Sequence, residues 1–197
     1  MRLVFALLAA AGLAPSCSAP RPREPALAAS AVDSALPPAE ALRRFRREIP
    51  EVAALQGGAT TRDGLVERFV HALEARDTVV LAALVLTRAE FAWLYYPTSR
   101  MARPPYELPP DLAWFQLDLR GQRGIAAALE AFGGRRLAYR GYDCPQKPVV
   151  EGRNRLWAPC LVRLAGPGGR EERLRLFGAI LERGGVWKFV NYSNRLD

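Results

Sequence analysis

The chain has 197 residues, 50% apolar and 24% charged, with 28 Lys and Arg against 20 Asp and Glu and a formal charge of +8. That length leaves room for one core of about 140 residues behind a processed leader and a tether, and none for a second catalytic domain. The cations are almost all Arg and lie among acids, with no basic stripe to track phosphates and no aromatic–basic strand motif, so no nucleic-acid partner is expected.

Met1-Arg2 followed by the apolar run Leu3–Ala14 has the charged start and short hydrophobic centre of a secretory signal peptide, too short to span a bilayer. The stretch Leu13-Ala14-Pro15-Ser16-Cys17 resembles a bacterial lipoprotein lipobox, with small Ser16 before the cysteine and with Ala14 and Pro15 departing from the usual pattern. The resemblance implies a signal peptide over 1–16, a lipid on Cys17, and an exported chain anchored to a membrane of the periplasm or cell envelope. Residues 18–38 are rich in Pro, Ala and Ser, with little to bury, and read as a tether. A short basic helix over 39–49 follows within the 17–59 lead. It has Leu42, Phe45 and Ile49 on one face and Arg43, Arg44, Arg46 and Arg47 around the rest. Such a helix either lies on an anionic membrane surface or, the simpler expectation, is a lead-in that docks on the domain or frays in solvent.

The domain proper is expected over 60–197. Thr60 is the expected N-cap of its first helix, whose apolar positions Leu65, Val66, Phe69, Val70 and Leu73 recur at helical spacing. The lone His71 falls on the polar side. Asp77 caps a second helix running to Val85, and the capping box Thr87-Arg88-Ala89-Glu90 opens a third that stops at Pro97. That third helix carries Phe91, Trp93, Tyr95 and Tyr96, which suit a cavity wall or a core whose rim meets water. The Pro-rich crossover 98–110 contains Tyr106. Two further helices are expected: one from Pro109-Pro110 with Leu112, Trp114, Phe115, Leu117 and Leu119, and one with Ile125, Ala128, Leu129 and Phe132, closed by Gly133-Gly134.

A strand over 137–142 leads to a loop with Cys144. Three alternating runs follow, 156–164, 173–181 and 186–193, joined by Gly166-Pro167-Gly168-Gly169 and Arg183-Gly184-Gly185. They read as an antiparallel meander. With Cys17 lipidated, Cys144 and Cys160 remain as a pair, and in an oxidising compartment a disulfide is expected. One histidine and no C-x-x-C leave no metal site to expect. There is no G-x-S-x-G, H-E-x-x-H, G-x-x-x-x-G-K or G-x-G-x-x-G, so common hydrolases, zinc proteases and nucleotide enzymes are not expected.

This order of elements is α+β, and with the terminal Gly185-Val186-Trp187-Lys188-Phe189-Val190 it resembles the NTF2-like (SnoaL-like) cone fold over roughly 60–193. The resemblance implies N-terminal helices packed in a curved antiparallel sheet with a pocket at the wide end. Plausible pocket residues are Trp93, Tyr95, Tyr96, Tyr106, Trp114, Asp118, Tyr142 and Tyr192. The expected function is a non-catalytic domain, without cofactor, binding a small apolar ligand or an envelope protein. The alternative is an isomerase or lyase with Asp118 as base and a tyrosine as oxyanion donor. Asp118 sits on a mostly apolar helix, where a raised pKa or an ion pair to Arg140 or Arg163 is the expectation.

Overall fold

The computed structural model describes residues 36–196, so the expected leader, the lipidation position Cys17 and most of the tether lie outside the described residues. Within them the chain is α+β, with five α-helices and two antiparallel sheets. The first helix, α1 (Pro38–Arg46), falls in the expected basic segment and docks on the domain. Phe45 meets Phe91 edge-on at 6.0 Å, and the Arg46 guanidinium lies 4.1 Å over the Trp93 ring.

The second helix, α2 (Arg62–Ala75), starts one residue later than expected. The cap is Thr61, whose hydroxyl accepts the Gly64 N–H at 3.0 Å. Its buried face is Leu65, Val66, Phe69, Val70, Ala72 and Leu73, as the spacing predicts. Asp77 caps α3 (Thr78–Leu84) through the Val80 N–H. Thr87 and Glu90 form both halves of the capping box on α4 (Arg88–Glu90).

Beyond Glu90 the expected α-helix to Tyr96 does not continue. A π-turn spans Phe91–Tyr95 and passes into a 3-10 turn over Tyr96–Thr98. The Tyr96 N–H goes to the Phe91 carbonyl, five residues back, which deprives the Ala92 carbonyl of its usual donor. Arg46 Nε and Nη2 supply the replacement at 3.1 and 2.9 Å. The docking of α1 and the π-turn are therefore one arrangement.

The two helices expected between Pro109 and Phe132 are a single 23-residue helix, α5 (Pro110–Phe132). Its glycines do not break it, because they face the backbone of the terminal segment. A Cβ on Gly124 would lie 1.8 Å from the Tyr192 carbonyl oxygen. Past the helix, the left-handed residue is Gly134 (φ 79) rather than Gly133 (φ −63).

The strands are β1 (Tyr139–Asp143), β2 (Val149–Glu151), β3 (Asn154–Trp157), β4 (Leu161–Ala165), β5 (Glu171–Leu174), β6 (Ile180–Arg183) and β7 (Val186–Phe189). One sheet has the order β1-β4-β5 and the other β2-β3-β6-β7, so the first two of the three expected runs each change sheet midway. Run 156–164 breaks at Ala158-Pro159, where proline cannot donate to a ladder. Run 173–181 breaks where Leu176 and Phe177 turn fully into the core.

Register shows how the break is built. Val162 pairs with Leu174 and Trp157 with Ile180, so the second run carries one more residue than the first between the two sheets, a bulge that bends the ribbon. β2 and its glycine turn to β3 were not foreseen. The disulfide Cys144–Cys160 is present and ties the loop after β1 to the bend itself, just before β4.

The sheet β3-β6-β7 is covered on both faces. Trp157, Ile180 and Phe189 face a core made with α2 and α3. Leu156, Leu181 and Val190 face a second core made with the π-turn, the start of α5 and Leu55. Phe69, Phe177, Phe189 and Tyr192 fill the first core, with ring centroids 4.4 to 5.6 Å apart.

Candidate functional site

The best-formed concavity is a cleft of about 190 Å³ between α3 and α5, with Tyr192 and Asn191 of the terminal segment among its walls. α3 contributes Thr78, Leu81 and Ala82, and Val85 and Leu86 follow it. α5 contributes Trp114, Leu117, Asp118, Gly121, Gln122, Ile125 and Leu129. The spacing on α5 is one helical stripe, which is why a single continuous helix builds that wall.

Side-chain hydrogen bonds set the position of the terminal segment. Asn191 Nδ2 donates to the Leu117 carbonyl at 3.2 Å, and Asn194 Nδ2 donates to that of Gly124 at 2.6 Å. The Tyr192 hydroxyl donates to the Leu81 carbonyl at 2.6 Å, joining this segment to α3. Burial pushes the Tyr192 phenol well above its ordinary pKa.

Asp118 stands in the cleft wall. Arg140 and Arg163 do not reach it: Arg163 lies 3.5 Å from both Asp143 and Glu171. The partner of Asp118 is Gln122, one turn on, whose Nε2 donates to Oδ2 at 2.7 Å. Asp118 is the one charged residue among those lining the cleft.

The structure thus brings Trp114, Asp118 and Tyr192 to one cleft, and places the other five pocket candidates elsewhere. Tyr95 and Tyr96 are buried in the second core, with the Tyr96 hydroxyl donating to the Leu108 carbonyl at 2.7 Å. Burial raises both phenols. Trp93 donates its indole N–H to the Ile49 carbonyl at 3.3 Å beneath Arg46. Tyr106 is 63% exposed on the crossover.

Tyr142 belongs to a polar surface groove with Asp63, Glu67, Tyr139, Arg140 and Arg163. Its hydroxyl donates to Asp63 Oδ1 at 2.5 Å and accepts from Arg62 Nε at 2.9 Å. Burial, followed by that donation to Asp63, pushes its pKa up to about 12. His71 is solvated and lies 3.6 Å from Glu74. Among the described residues no group of His, Cys, Asp and Glu is arranged to hold a metal ion.

One chemical feature went unforeseen, a buried ion pair. Lys188, 1% exposed, donates from Nζ to Glu90 Oε1 and Oε2 and to the Gln56 carbonyl, at 3.0, 2.8 and 2.8 Å. Glu90, 2% exposed, also accepts the Gln56 and Thr87 N–H groups at 2.7 and 2.8 Å. With these bonds the pair locks the lead segment, α4 and β7 together, and neither Glu90 nor Lys188 is among the residues lining the cleft. Its sequence signals were the capping box and a lysine between two aromatics in the last strand.

Compared with known proteins, the chain matches no family model, no curated protein and no solved structure.

Proposed function

We propose that this chain is an exported, lipid-anchored, non-catalytic domain of NTF2-like cone type that binds a small apolar ligand in the cleft between α3 and α5. The observation that carries the reading is the cleft itself. It is walled by Leu81, Leu86, Leu117, Ile125 and Leu129, with polar groups confined to a few positions such as Asp118 and Gln122. An apolar concavity with few placed polar groups is the usual form of a small-molecule site. A volume of about 190 Å³ suits a compact body, since a cavity of about 150 Å³ accepts benzene.

The cone reading is supported by an antiparallel ribbon bent at Pro159 and Phe177 around α2 and α3. Binding is favoured over proton-transfer chemistry because the Tyr192 hydroxyl already donates to the Leu81 carbonyl. A catalytic oxyanion donor would need that hydrogen free.

Titration of the mature chain with cyclohexanol, followed through the indole N–H of Trp114 in heteronuclear spectra, tests the site. Saturable shifts at Trp114 are expected, abolished by Ala82→Phe, which fills the cleft. Absence of binding, or binding indifferent to Ala82→Phe, would end the reading. For the anchor, metabolic labelling with palmitate is expected to mark the chain and to fail in Cys17→Ala.

A further inference from the structure

The charge distribution inside the cleft runs against that of the whole chain. The protein carries a formal charge of +8, yet no Arg or Lys lines the cavity and its single charged residue is a carboxylate. Asp118 takes one hydrogen bond, on Oδ2 from Gln122, and among the described residues it enters no ion pair. Asp118 Oδ1 thus has acceptor capacity that no side chain of the cleft uses.

Trp114 lies one helical turn before Asp118 and lines the same cavity. Its indole packs against Phe91, with ring centroids 5.2 Å apart, which supports the ring from the second core. An indole face beside a carboxylate is a pairing that recognises an ammonium group, by attraction to the ring quadrupole and by a charge-assisted hydrogen bond. A carboxylate or phosphate head would meet Asp118 with like charge and would find no cation in the wall.

Resting on the ligand-binding reading above, we propose that the ligand is a small cationic amphiphile, with its ammonium held between Asp118 and Trp114 and its apolar body against Leu81, Ile125 and Leu129. The volume of about 190 Å³ sets the body at roughly six to eight carbon atoms, by comparison with the benzene-sized cavity of about 150 Å³. Gln122 acts as a positioning residue, since its hydrogen bond fixes the Asp118 carboxylate from one side and leaves the other for the ligand.

The test compares hexylammonium, hexan-1-ol and hexanoate on the mature chain at neutral pH, each titrated against the Trp114 indole signal. Hexylammonium is expected to bind about tenfold more tightly than hexanoate, with hexan-1-ol between them, as a partly exposed charge pair and a ring contact together allow. In Asp118→Asn that order is expected to collapse to within about threefold while hexan-1-ol binding is retained. Equal binding of the three, tighter hexanoate, or an order that survives Asp118→Asn would overturn the ammonium assignment and leave the apolar site standing. If none of the three shifts Trp114, both the site and the assignment fall. Should Asp118→Asn not fold, the wild-type titrations repeated at about 1 M NaCl serve instead: screening of a partly exposed charge pair is expected to narrow the gap between hexylammonium and hexanoate, and an unchanged gap would count against the assignment.

Discussion

Replacing Lys188 by methionine would leave the Glu90 carboxylate buried without its counter-ion. The side chain of Lys188 is 1% exposed and that of Glu90 2%, so water does not reach the abandoned charge in the native fold. Breaking a buried pair from one side costs about 3–5 kcal/mol, because desolvation of the remaining ion is no longer offset. Two backbone N–H groups still bond Glu90, from Gln56 and Thr87, which places the expected loss near the lower end, about 3 kcal/mol.

For a domain of this size that loss corresponds to a fall in Tm of roughly 6–12 °C. Removing both charges, in Glu90→Gln with Lys188→Met, is expected to be milder than Lys188→Met alone by about 1 kcal/mol or more. The amide retains an acceptor for Thr87 and no ion remains. Urea denaturation of the wild type, both single variants and the double variant gives the cycle directly. A Lys188→Met loss below about 1 kcal/mol, or a double variant as unstable as that single one, would refute the claim that the pair is fully desolvated and mutually dependent.

Other consequences follow from the packing. Gly124→Ala is expected to cost about 2–3 kcal/mol, since its Cβ would meet the Tyr192 carbonyl oxygen at 1.8 Å and backbone must move. Gly121→Ala, with its nearest neighbour Asn191 Cβ at 3.4 Å, is expected to be far milder, and thermal melts of the two variants side by side check the contrast. Removing the Cys144–Cys160 bridge, which spans 16 residues of sequence, is expected to lower stability by about 3 kcal/mol; an unchanged Tm in reductant would sink this. Tyr139 and Tyr142 hold their protons to about 12, whereas an unfolded tyrosine releases its proton near 10. Their contribution is therefore intact below pH about 10 and is lost as the pH rises toward 12, a slope that Tyr142→Phe should reduce in denaturation curves taken across that window.

Local chemistry carried much of the architecture. The cap at Asp77, the capping box at Thr87 and Glu90, the buried stripe of α2 and the tight glycine turn before β7 depend on neighbours within one or two turns, so residue order alone encodes them. The cysteine pairing was legible for a different reason: setting Cys17 aside left two candidates. The apolar groups ending at Leu119 and starting at Ile125 were read as two helices, yet α5 is continuous and its glycines 121 and 124 admit the terminal segment, a contact more than sixty residues away in sequence.

The cleft shows the same division. Asp118, Trp114 and Tyr192 were identifiable as chemically apt residues, but only folding brings the α5 stripe opposite α3 and sends Tyr95, Tyr96 and Tyr142 elsewhere. Alternation along β7 tells which residues share a face and is silent on what covers each face. The surroundings of Lys188, between Trp187 and Phe189, are therefore decided only where the second core closes over it and supplies Glu90. Parity along a strand is a property of the covalent backbone, whereas the occupant of each face is decided by segments distant in sequence, which is why Lys188 became a buried ion rather than a surface one.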